Sequence, residues 1–197
     1  MKDEKLEARP TWFESTLYRS QIEARWALFF KCMDIEAKYE ERYFDLDDGI
    51  FYRPDFWLPK QNCWFEVKGA FPAKDKIEKA HRLAIYTKTT VYIAHGLIPE
   101  PDPVLESWYA ISALVFFPDG NDDEAYWWCD CPICGSVGMQ SEGRAFHLPC
   151  GCLPQMDPHL DKPNYYYSRR LLKAYWVARS AEVDKESMYG HDHLVDR

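Results

Sequence analysis

Arg53-Pro54-Asp55-Phe56-Trp57-Leu58-Pro59 and, after Lys60-Gln61-Asn62, Cys63-Trp64-Phe65-Glu66-Val67-Lys68-Gly69 carry the reading of the fold. Both stretches are rich in strand-forming aromatic residues. Pro59-Lys60-Gln61-Asn62 is a turn signal, so Ile50 to Leu58 and Cys63 to Lys68 read as the arms of a hairpin. A turn centred between Lys60 and Gln61 sets Asp55 opposite Glu66, about 5 Å apart at Cβ. Side chains alternate along a strand, so Glu66 and Lys68 share a face while Val67 points into the core.

Two carboxylates at that distance can hold one divalent cation of the oxygen-seeking kind, Mg²⁺ or Mn²⁺. Such an ion lowers the pKa of a bound water and neutralises phosphate oxygens, and a lysine beside it orients the water and stabilises developing charge. Without metal the carboxylates repel, and one of them is expected to titrate high. A surface aspartate and an edge Glu-x-Lys are common on strands. The proline before Asp55, the spacing, the alternating aromatics and Gly69 raise this set above that background.

Upstream, Ile22, Trp26, Phe29, Phe30 and Met33 recur at three- and four-residue spacing, which predicts a helix from Gln21 capped by Ser20. Ser20-x-x-Glu23 is a capping box, in which the carboxylate reaches back to the helix start. A segment around Ala37 to Leu46, turned at Asp47-Asp48-Gly49, is expected as the first strand of a three-stranded meander. Downstream, Pro72 opens a helix from about Lys74 to Tyr86, with Ile77, Ala80, Leu83 and Ala84 on one side, and Thr89 to Ala94 reads as a buried strand. Trp108 to Phe117 supplies a further strand before the acidic loop at Pro118-Asp119-Gly120. A last helix from about Tyr166 to Val183 offers Leu171, Leu172, Tyr175, Trp176 and Ala178 for packing. The first ten residues read as a loose lead. This order is that of an α/β domain, expected over 1–120, with a smaller module over 121–197.

The two motif stretches resemble the core of the PD-(D/E)XK nuclease superfamily, the restriction-endonuclease-like fold, and its small phage and mobile-element members in particular. The likeness covers about Ser20 to Gly96. It implies a mixed β-sheet flanked by helices, Mg²⁺ (or Mn²⁺) on Asp55 and Glu66, a ligand from the Val67 carbonyl, and Lys68 serving the water. The implied activity is an endonuclease that cuts DNA and leaves a 3′ hydroxyl. Many members add an acid from the helix before the meander. Glu23 stands at that place, so a catalytic metal role competes with its capping role. Double-strand cutters of the family often pair two active sites, which leaves a homodimer open without fixing the oligomeric state. The alternative is a catalytically idle nuclease fold that binds DNA or a protein partner, as an anti-defence or recombination accessory. The intact Asp55, Glu66 and Lys68 speak against it, and the overall acidity speaks for it.

Five of the seven cysteines crowd between Cys129 and Cys152. The amino terminus lacks the apolar stretch of a signal peptide, and no run reaches about eighteen apolar residues, so the chain is expected in the cytoplasm and off the membrane. In that reducing compartment metal binding is favoured over disulfides. Cys131-Pro132-Ile133-Cys134-Gly135 has the Cys-x-x-Cys-Gly form of a zinc knuckle, and Cys150-Gly151-Cys152 can complete a closed, structural Zn²⁺ site. Cys129 and His147 are reserve ligands, and buried free thiols are the plain alternative. The stretch looks like the zinc ribbons appended to phage and recombination proteins.

The net charge of −8 argues against a nucleic-acid partner. Cations nevertheless cluster: Lys68, Lys74, Lys76, Lys79, Arg82 and Lys88 face only Asp75 and Glu78, and Lys162, Arg169, Arg170, Lys173 and Arg179 form a second group with no acid among the charges between them. Lys74, Lys76, Arg169, Arg170 and Lys173 are the expected phosphate contacts, against the plainer reading of a solvated face. Tyr126-Trp127-Trp128 and Tyr165-Tyr166-Tyr167 are either rings that stack on unpaired bases or core.

Overall fold

In the computed structural model, which describes residues 8–46, 49–99, 113–141, 148, 150–152 and 168–183, the Ser20 hydroxyl accepts the Glu23 amide hydrogen and starts α1 (Gln21–Cys32). The helical period turns Ala24, Trp26, Phe29 and Phe30 to one buried face. There the Phe30 ring meets those of Phe56, Phe65 and Trp128 at centroid distances of 5.3, 5.3 and 5.7 Å.

The hairpin adopts the expected register. β6 (Phe56–Leu58) runs antiparallel to β7 (Cys63–Lys68), with Phe56 opposite Phe65, Trp57 opposite Trp64 and Leu58 opposite Cys63. From β7 the chain passes through α2 (Lys74–Thr87) to β8 (Thr90–His95), which lies parallel to β7. β9 (Ala113–Phe116), β10 (Asp122–Asp130) and β11 (Val137–Ser141) follow as antiparallel neighbours. With β3 (Lys38–Tyr39) on β6 the result is a seven-stranded mixed sheet of order β11-β10-β9-β8-β7-β6-β3.

Alternation along β7 divides the core. Cys63, Phe65 and Val67 pack with α1 and with α3 (Arg169–Ser180), while Trp64 packs with Ala80, Leu83 and Ala84 of α2. The sheet thus has helices on both faces, an α/β arrangement with Glu66 and Lys68 on the α2 side. Trp176, expected in the core of the last helix, is 68% exposed. Its neighbours Leu171, Ala174, Tyr175 and Ala178 complete the buried face without it.

The meander is more broken than expected. Glu40 takes φ 45°, outside the extended region, and Pro54 has no amide hydrogen to donate to a ladder. Each of the first two arms is therefore in pieces. β3 pairs with β6, whereas β4 (Phe44–Asp45) and β5 (Phe51–Tyr52) form a hairpin of their own. A further hairpin, β1 (Thr11–Phe13) with β2 (Thr16–Tyr18), occupies residues for which no strand was expected.

β10 and β11, on the far side of residue 120, are strands of the same sheet as the motif hairpin. Tyr126, Trp127, Trp128 and Cys129 are all buried, so the three rings are core and not available to bases. Tyr165 to Tyr167 lie outside the described residues, as do His147, Lys162 and the first part of the strand expected from Trp108. No helix of the described residues is long and apolar enough to cross a membrane.

Candidate functional site

The register that pairs Phe56 with Phe65 carries Asp55, the residue before β6, up against Glu66. Two bonds fix them there: the Asp55 amide donates to Glu66 Oε2 at 3.0 Å, and the Val67 amide donates to Asp55 Oδ2 at 2.7 Å. Both acids are buried, at 1% and 3% exposure. The Lys68 ammonium stands where their oxygens converge. Its Nζ lies 3.0 Å from the Val67 carbonyl oxygen and 3.5 Å from Asp55 Oδ2, and it donates to Glu66 Oε1. Three hard oxygen donors, one just before β6 and two on β7, therefore surround one point already occupied by a cation. Arg19 adds a second, donating from Nη2 to Asp55 Oδ1 at 2.6 Å.

The charges respond as crowding demands. Burial, then the neighbouring Asp55 carboxylate, push Glu66 up to about 7, with Lys68 opposing. Burial pulls the Lys68 ammonium down, but Asp55 and Glu66 more than offset it, so that its pKa is raised. At neutral pH Lys68 is a charged donor, suited to orienting a water or steadying an anion rather than removing a proton.

Of Glu23's two contested roles, the contacts show the one at the start of α1. Its Oε1 accepts from the Ser20 hydroxyl at 2.7 Å, and its Oε2 from the Tyr39 hydroxyl at 2.6 Å and the Arg19 amide at 3.2 Å, so it braces the start of α1. Burial and then the Asp55 charge raise its pKa, so it also belongs to the same electrostatic group.

These residues line an open cleft of about 850 Å³. Arg9, Arg19, Arg25, Arg53, Lys76 and Lys79 line it with them, which gives an acidic floor a basic surround on an acidic protein. Among the expected phosphate contacts Lys76 lines this cleft. Lys74 is exposed at the start of α2, and Arg169 and Lys173 are exposed on α3; none of the three lines it. Arg170 is engaged in the fold, donating to Met33 O at 2.5 Å, Asp34 Oδ2 at 3.0 Å and Gly135 O at 3.2 Å.

Sequence reasoning gave no role to Arg19, Glu40 or Arg53. Glu40 Oε1 pairs with Arg19 Nε and Oε2 with Arg53 Nη2, both at 2.7 Å, and this chain of charge ends on Asp55. The one available signal was adjacency, since Arg19 precedes the helix cap and Arg53 precedes Pro54-Asp55.

The second site lies in the turn from β10 to β11. The Cys131 amide donates to Ser136 O at 2.7 Å and the Gly135 amide to Cys131 O at 2.8 Å, with Gly135 at φ 72° where a side chain is disfavoured. Cys150-Gly151-Cys152 approaches through a turn closed by the Gly151 amide on Leu148 O at 3.0 Å. The sulfurs of Cys131, Cys134, Cys150 and Cys152 lie within 4.8 Å of one another and could hold a metal ion such as zinc. Thiolates about 2.3 Å from a central tetrahedral ion stand about 3.8 Å apart, so the spread fits a single ion. Cys129 is not part of this group; its buried thiol donates to Gly138 O at 3.5 Å. The Ser136 hydroxyl and amide draw Cys134 down to about 6, while sharing hydrogen bonds, first with Cys134, raises Cys152 to about 12.

No protein-family model, curated protein or solved structure matches the chain. What the clefts can do follows from their own chemistry. Oxygen donors around a cation position, beneath arginines and lysines, suit a phosphate ester; four thiols suit a soft, structural ion.

Proposed function

We propose that the chain is a metal-dependent deoxyribonuclease with a restriction-endonuclease-like core, hydrolysing phosphodiester bonds of DNA. The observation that carries this reading is the convergence of Asp55 Oδ2, Glu66 Oε1 and Val67 O on the point held by the Lys68 ammonium. Those oxygens would hold Mg²⁺ or Mn²⁺, which would lower the pKa of a water and neutralise phosphate charge. Lys68, at 24% side-chain exposure, has room to swing from the carboxylates and hold the attacking water. Arg19, 51% exposed, is placed to exchange Asp55 for a phosphate oxygen, with Glu40 keeping its guanidinium oriented. Glu23 keeps α1 and Tyr39 in position and adds negative charge to the cation site.

At the second site the proposal is a closed, structural Zn²⁺ on Cys131, Cys134, Cys150 and Cys152, which ties the β10–β11 turn to the segment at Cys150. DNA is the proposed partner. Two copies acting together would account for a double-strand break, and a single copy for a nick.

The test is incubation of the purified protein with plasmid, branched and single-stranded DNA in Mg²⁺ or Mn²⁺, beside Asp55→Ala and Lys68→Ala. Cleavage by the parent alone is expected, and activity surviving both changes sinks the assignment. One observation favours the second reading, a nuclease fold that binds without cutting: Arg19 and Lys68 already neutralise Asp55 from both sides. DNA binding with no cleavage in either metal selects it.

A further inference from the structure

The β4–β5 hairpin is an amphipathic ribbon set beside β7. Phe44 and Tyr52, directly opposite each other, turn to the protein interior, where the Phe44 ring meets Trp64 at 5.2 Å. The alternate positions face outward. Tyr43 and Phe51, 64% and 65% exposed, both line the cleft that contains Asp55 and Glu66. The Arg53 guanidinium lies over the Tyr43 ring, 4.5 Å from its centroid. Arg53 leads through Glu40 and Arg19 to Asp55, so an unbroken series of contacts joins the outer ring to that buried acid.

Two large rings held in water on the wall of a basic cleft lose burial energy that the core could have supplied. The charge around them defines the ligand they suit. Arginine and lysine neutralise a phosphate backbone, and a flat aromatic surface accepts the π-face of a base. A paired duplex hides those faces within its stack, whereas an unpaired strand presents them.

We infer that Tyr43 and Phe51 are a stacking platform for unpaired bases next to the scissile phosphate, so that the substrate is DNA with a single-stranded segment at the cleavage site. This rests on the nuclease reading only for the position of the scissile bond. Backbone phosphates then run along Arg53, Arg19 and Lys76 toward Asp55. The Arg53 guanidinium, already stacked on Tyr43, keeps that ring from folding away.

The test is binding in buffer free of Mg²⁺ and Mn²⁺, where nothing is cut, of a fluorescent oligothymidylate and of a duplex of equal length. The proteins compared are the parent, Tyr43→Ala, Phe51→Ala and the double variant. Both rings are exposed, so the variants should keep the parent's circular dichroism and melting temperature. Each substitution should weaken single-strand binding roughly tenfold and leave duplex binding unchanged. An oligonucleotide carrying 2-aminopurine should be quenched by the parent and not by the double variant, a signature of stacking that charge alone does not produce. Tyr43→Phe should restore both signals. Failure of the parent to bind the single strand, equal losses on both DNAs, or quenching that survives the double variant overturns the inference. None of these outcomes touches the nuclease assignment, which is decided by cleavage in Asp55→Ala.

Discussion

Replacing Glu66 by glutamine should stabilise the metal-free protein at alkaline pH and leave it unchanged in acid. Glu66 is 3% exposed and its pKa is raised from an ordinary 4.5 to about 7, by burial first and then by Asp55. A folded-state pKa above the unfolded one means that the folded protein binds the proton more tightly. The stability linked to that proton is complete below the unfolded value near 4.5 and is lost as pH rises to about 7. The full loss is about 3 kcal/mol. Glutamine mimics the protonated acid and does not titrate, so the gap between variant and parent should open across that window and stay constant above it. Urea unfolding followed by circular dichroism from acid to alkaline pH, without added Mg²⁺, measures it. Adding Mg²⁺ above neutrality should close the gap from the parent's side alone, because the ionised carboxylate is the proposed ligand. Parallel pH profiles for the two proteins would show that Glu66 does not titrate with a raised pKa in the folded state.

Other perturbations probe the remaining supports. Phe30→Ala removes a ring that meets Phe56, Phe65 and Trp128 and should cost about 3–5 kcal/mol of unfolding free energy in the same urea assay. Arg170→Ala unties the end of α1 and the knuckle turn from α3 and should cost about 1–3 kcal/mol with DNA binding unaffected. Cys131→Ser should abolish stoichiometric zinc, measured by metal analysis of the freshly purified protein, whereas Cys129→Ser should retain it.

Much of the site was legible because its determinants are local. The turn Pro59 to Asn62 fixes the centre of one hairpin, and the hairpin fixes the pairing of Asp55 with Glu66. α1 and α2 were equally plain from helical periodicity and the Ser20 cap. The hairpin at Thr11 to Tyr18 was hidden because its turn puts Glu14 and Ser15 at φ 45° and 67° without a glycine or asparagine to announce it. The sequence places residues 121–197 in a smaller module, since strand and knuckle run together there, and β10 lies in the main sheet. Its buried residues Tyr126 to Cys129 are consecutive, since both faces are covered, and so show no alternation. Arg19 was out of reach for a different reason: its partner Asp55 is 36 positions away, and only the folded sheet brings them together.

On the proposed reading, Asp55, Glu66 and the Val67 carbonyl hold a divalent cation where Lys68 now sits. Mn²⁺ binding followed by electron paramagnetic resonance tests it most directly, since bound ion leaves the free-ion spectrum. One Mn²⁺ per chain is expected in the parent and none at this site in Asp55→Ala, with the cysteine site unchanged. Equal Mn²⁺ uptake by parent and variant, or no uptake by the parent, would contradict it.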